Sequence, residues 1–69
     1  MEYQQVTSKA IKRIGYDPEA RILHVEFKNG GLYEYPDVPP ETHQKFLNAT
    51  SLGQHFQKHI RPHHEGTKL

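Results

Sequence analysis

The stretch Arg21-Ile22-Leu23-His24-Val25-Glu26-Phe27-Lys28-Asn29-Gly30-Gly31-Leu32-Tyr33-Glu34-Tyr35 decides the fold. Leu23, Val25 and Phe27 alternate with His24, Glu26 and Lys28, the pattern of a strand with one apolar and one wet face. Asn29-Gly30 marks a hairpin, and the loop length sets the register of the next strand. A two-residue loop would place Glu34 on the face of Leu23 and Val25, burying a carboxylate with no cation beside it. A three-residue loop, Lys28-Asn29-Gly30, puts Gly30 in the left-handed position with a bulge. Val25 then pairs with Tyr33 and Leu23 with Tyr35, while Glu34 faces His24 on the wet side. The odd loop is therefore predicted, with both tyrosines on the core side.

Upstream, Ile11–Tyr16 reads as a strand with Ile14 and Tyr16 on one face, and Asp17-Pro18 opens a turn. Downstream, Pro36 ends the third strand. Val38-Pro39-Pro40-Glu41 starts a helix whose apolar stripe centres on Phe46 and Leu47. Ser51-Leu52-Gly53-Gln54 has the form of a capping box, and Leu52, Phe56 and Ile60 recur every fourth residue along a second helix. Gly53 is expected to allow that helix to approach its neighbour closely. Pro62 stops it. The expected fold is α+β: a three-stranded antiparallel meander followed by two short helices packed on one face. One domain is expected over 8–61, between a flexible N-terminus (1–7) and a flexible tail (62–69).

Sixty-nine residues support one small core. Cysteine is absent, which excludes disulfides and thiolate metal sites. The net charge of +1 is not that of a strong polyanion binder, but its distribution is uneven. Residues 1–16 carry Lys9, Lys12 and Arg13 against Glu2. Residues 17–41 are mostly acidic, and residues 42–69 carry Lys45, Lys58, Arg61 and Lys68 against Glu65. If the chain ends lie together, as they often do in small domains, the two basic ends merge into one patch. No signal peptide or membrane-length apolar run is visible, so a cytoplasmic protein with no membrane association is expected.

Three groups of residues bear on chemistry. Tyr16, Tyr33 and Tyr35 combine an apolar ring with a polar tip, suited either to a core rim or to stacking on a base. The register favours the core rim. His55 and His59, four apart on one helix, are a weak candidate metal pair that needs a third ligand from His63, His64 or Glu65. Helical geometry places His59 beside the apolar stripe and His55 further round. Ser8, Lys9, Lys12, Arg13, Lys58 and Arg61 form a phosphate-contacting set. Ser51 is accounted for as a helix cap. No nucleophile–base grouping and no phosphate-cradling glycine loop is present, so neither catalysis nor a cofactor is expected.

Gly15-Tyr16-Asp17, Leu23-x-Val25-x-Phe27, Gly30, Tyr33-x-Tyr35 and Val38-Pro39, in that order, resemble the KTSC domain, a small bacterial and phage module. It is also found at the C-terminus of some lysyl-tRNA synthetases. The resemblance runs over roughly Ser8 to Ile60, and Ser8, Ser51, Gly53, Phe56 and Arg61 also match family positions. His43 and His64 depart from it, standing where an aromatic, often Tyr, is common, and both departures imply the loss of a stacking ring. The resemblance implies a non-catalytic binding module without a settled activity, with RNA or tRNA as partner through the merged basic patch. The alternative is a protein-interaction domain acting through an exposed edge strand, as a monomer or weak homodimer.

Overall fold

Leu23 and Val25 lie at the centre of the core, both fully buried, because the hairpin beyond them closes with three residues. In a computed structural model describing residues 1–69, β3 (Ile22–Phe27) pairs antiparallel with β4 (Leu32–Tyr35). The partners are Leu23–Tyr35, His24–Glu34 and Val25–Tyr33, the register predicted from the avoided burial of Glu34. Gly30 takes φ +103°, in the left-handed region that the loop requires. Tyr35 is buried, and Tyr33 packs against the core from its margin.

β2 (Ile11–Asp17) pairs with β3 on the other side, with a bulge between Ile11 and Arg13. The extra residue brings Ile11 and Ile14, three apart, onto the same buried face, which strict alternation forbids. Asp17 caps the ensuing turn, its Oδ1 accepting from the N–H groups of Glu19 and Ala20.

The sheet has five strands, in the order β1-β2-β3-β4-β5, rather than the expected three. Both segments expected to be flexible ends contribute to it: β1 (Glu2–Gln5) pairs with β2, and β5 (Thr67–Lys68) pairs with β4. Neither shows apolar alternation, because an edge strand exposed on both faces has no core side to encode. What holds them is backbone pairing plus ring contacts: Tyr3 lies across Gly15, and the Tyr35 ring lies on Gly66.

Two helices cover one face of the sheet. α1 (Pro40–Leu47) starts behind Pro39 and buries Phe46. α2 (Leu52–His55) is capped by Ser51, whose Oγ accepts from Gln54 N–H at 3.4 Å, and runs directly into a π-helical segment, Phe56–Ile60. The π segment, closed by Arg61 N–H on the Phe56 carbonyl, widens the turn so that Phe56 and Ile60 both reach the core. It also reverses the expected positions of the two histidines. His59 is exposed, whereas His55 sits at the core boundary, stacked on Phe46 at 5.8 Å. The close-approach reading of Gly53 fails as well: a methyl group there would meet only Ala10 Cβ at 3.8 Å, an ordinary contact.

Candidate functional site

Four cations meet where the β3–β4 hairpin tip, the Ser8–Ala10 turn and the π segment come together. Ser8 Oγ accepts from the N–H groups of Ala10 and Ile11, which folds the turn and projects Lys9. Lys28 N–H donates to the Ala10 carbonyl at 2.9 Å, tying the hairpin tip to that turn. From the helix side, Lys58 and Arg61 arrive one helical turn apart, and Arg61 is oriented by Gln57 Oε1 at 3.3 Å.

These elements enclose two adjoining hollows. The first, about 760 Å³, has Phe27, Tyr33, Tyr35 and Phe56 on its wall and Lys9, Lys28 and Arg61 on its rim. The second, about 870 Å³, has no aromatic side chain and is lined mostly by polar and charged residues, among them Ser8, Ser51, Gln54 and Lys58. Lys9, Ala10, Lys28 and Gln57 line both. No aspartate or glutamate lines either hollow, and none of the four cations is in an ion pair.

The aromatic wall is held by edge-to-face packing: Phe27 on Tyr33 at 5.7 Å, Phe27 on Phe56 at 5.4 Å and Tyr35 on Phe56 at 5.3 Å. Burial raises the Tyr35 phenol above its ordinary range, the neighbouring Tyr33 adds to that, and Arg61 opposes it. The Tyr33 and Tyr35 hydroxyls have no hydrogen-bond partner within the chain and are not buried. Tyr16 differs: its hydroxyl donates to the Val38 carbonyl at 2.5 Å, fixing the entry to α1, and burial raises its pKa too.

The predicted phosphate-contacting set is thus divided. Lys9, Lys58 and Arg61 come together, and Ser8 lines the second hollow with its oxygen already engaged by the turn. Lys12, at the bulge, is exposed and lines neither hollow. Arg13 is on the opposite face of the sheet, ion-paired to Glu26 and stacked over the Tyr3 ring, 4.6 Å from its centroid. The merger does not come from adjacent chain ends, since β1 and β5 form opposite edges of the sheet. It comes from the Ser8–Ala10 turn packing near the helix. Lys28 was missed by sequence reasoning, which assigned it only to the hairpin; its approach to Lys9 depends on a long-range contact with no local signal.

The His55–His59 pair gains no third ligand from the tail. The His55 and His59 rings lie 4.7 Å apart, but no group of three potential metal ligands comes together anywhere in the molecule. Burial lowers the pKa of His55, and His59 and Lys45 lower it further. His43 retains the stacking its departure from tyrosine implied was lost: its ring lies on Tyr16 at 4.3 Å and 11°, and burial lowers its pKa.

The open face of the sheet carries a second constellation absent from the sequence reading. Glu34 Oε2 lies 3.0 Å from His24 Nε2, and Nδ1 of the same ring is hydrogen-bonded to the Tyr3 hydroxyl at 2.6 Å. This chain of bonds spans β1, β3 and β4 and passes over Gly15 on β2, where a Cβ would stand 2.7 Å from the Tyr3 ring. Neither of the two hollows opens beside it.

The comparisons with known proteins agree with this architecture. The family model of the KTSC domain matches residues 7–64. An uncharacterized protein of Stutzerimonas stutzeri is 47% identical over 64 residues, covering 93% of this chain and 90% of the relative. A lysine–tRNA ligase of Nostoc punctiforme is 43% identical over 51 residues, 74% of this chain but only 9% of the ligase. The crystal structure of a KTSC domain protein from Yersinia pestis superimposes with a TM-score of 0.95 at 38% identity, covering 99% of this chain and 96% of that one. With its fold and nearly its whole length matched, the chain belongs to the KTSC domain family.

Proposed function

We propose that this chain is a non-catalytic binding module of the cytoplasm that takes RNA, including tRNA, in the groove between hairpin tip and helix. One observation carries the reading: four unpaired cations and no carboxylate line the two hollows of a protein whose net charge is only +1. Such local concentration attracts a polyanion where the overall charge does not. The matched segment within a lysine–tRNA ligase supports an RNA partner. No helix is long and apolar enough to cross a membrane.

Fluorescence anisotropy with labelled tRNA at 50 and 200 mM salt tests this. Four phosphate contacts give a log–log salt slope of about −3, so affinity should fall on the order of 50-fold across that range. Lys9→Glu with Arg61→Glu should abolish binding, while Lys12→Glu, outside the groove, should leave it nearly unchanged. Absence of binding at 50 mM salt would remove the reading.

A second reading rests on β1. Val6 N–H donates to the Lys12 carbonyl, so by the alternation of an antiparallel ladder Tyr3 and Gln5 direct their backbone groups away from the sheet. That edge carries no proline, lysine or bulge to guard it, and it fits a strand of a protein partner or a second copy. Sedimentation over a wide concentration range tests self-pairing; a constant monomer mass would exclude it.

A further inference from the structure

Resting on the RNA reading above, we infer that the groove takes an unpaired strand of at least two nucleotides, with a base in the aromatic hollow and the linking phosphate over Lys9 and Lys28. The two hollows are distinct in chemistry yet joined, and the residues common to both include two of the four cations. A chain that alternates a flat apolar base with an anionic link matches an aromatic hollow beside a cationic saddle. Each hollow has the volume of a site for one small organic group.

The first hollow supplies both parts of base recognition. Phe27 and Tyr33 are only half-buried, so ring surface remains for stacking, and the Tyr33 and Tyr35 hydroxyls have no other partner in the chain. Beyond the saddle, the second hollow offers Lys58 and the Gln54 amide to the next sugar and phosphate. A duplex meets neither requirement. Its bases are stacked on one another and paired, and its phosphates lie on the rim of a cylinder nearly as wide as this molecule, whose extents are 28 × 24 × 22 Å. Duplex phosphates could touch Lys9 and Lys28, but no base would enter the hollow.

Anisotropy titrations at 50 mM salt distinguish these cases, using a labelled mixed-sequence RNA hexanucleotide, the same strand annealed to its complement, and unlabelled mono- and dinucleotides as competitors. The single strand should bind at least roughly tenfold more tightly than the duplex, and the dinucleotide should compete better than the mononucleotide by a similar factor, one phosphate and one stacked base richer. Tyr33→Leu, which keeps apolar volume for the fold, should weaken the single strand roughly 5- to 150-fold, the equivalent of one stacked base. Tyr33→Phe should retain most of the affinity. Lys9→Ala with Lys28→Ala should reduce the magnitude of the salt slope by about 2. Equal affinity for duplex and single strand, or indifference to Tyr33→Leu, overturns the inference. If the lysine variants still weaken binding in that event, the groove remains the RNA site. Binding of neither RNA form defeats both.

Discussion

Tyr3 owes its position to a residue on the neighbouring strand. Its ring crosses β2 at Gly15, the one place on that row without a side chain, and so reaches His24. Tyr3→Phe should cost about 1 kcal/mol, the usual net worth of one hydrogen bond. Gly15→Ala should displace the ring and lose the same bond. The two losses should not add in the double variant, and urea unfolding of the wild type and all three variants checks this. His43 gives a second expectation at this scale. Burial holds its folded pKa below the ordinary 6.5, so the unfolded chain takes up a proton first on acidification. Its contribution is therefore complete above about pH 6.5 and lost as the pH falls below that. His55, lowered in the same direction, acts with it. His43→Tyr, which keeps a ring on Tyr16, should flatten the fall in stability on acidification below about pH 6.5, as measured by thermal unfolding.

At the scale of the element, the β3–β4 hairpin was legible because one wrong choice was costly. A slip by one residue would bury Glu34, so the sequence admits a single register, and His24 meets Glu34 as a result. Gly30 is where that register is enforced. Nothing lies within 4 Å of a Cβ at this position, so Gly30→Ala isolates the backbone cost of φ +103°. It should destabilise by roughly 1–3 kcal/mol with an unchanged urea m-value. The second helix was legible in its cap and apolar stripe but not in its winding. Four-residue spacing from Leu52 to Phe56 to Ile60 drifts around an α-helix, and the π segment removes that drift locally. The letters alone specify neither where the turn widens nor that His55, rather than His59, is drawn to the core. β1 and β5 were not legible at all. Their pairing is made by backbone groups, which every sequence has, and by tyrosine rings resting on glycines that are distant in the chain.

For the whole molecule, the layered α+β arrangement and most of the core followed from periodicity, while the site followed only in part. Lys9, Lys58 and Arg61 could be singled out as cations, but their meeting with Lys28 across the hairpin tip is a property of the folded chain. Arg13 belonged to the same basic segment as Lys9 and yet points to the opposite face, because strand alternation and the bulge at Lys12 separate them.

The placement of β1 and β5 at the two extremes of the sheet has a mechanical consequence. Four inter-strand gaps put about 19 Å between these strands across the ladder. Their outer ends are offset by only about 7 Å along the strand axis, since Glu2 shares a row with Tyr35 and Lys68 shares one with Tyr33. Tension on the termini therefore runs mostly across the strands and opens hydrogen bonds one after another, starting with the two-residue β5. Stretched in an optical trap by its first and last residues, the protein should yield at low force and in steps, as a zip does, whereas attachment at two points along one strand axis should demand many bonds to break at once.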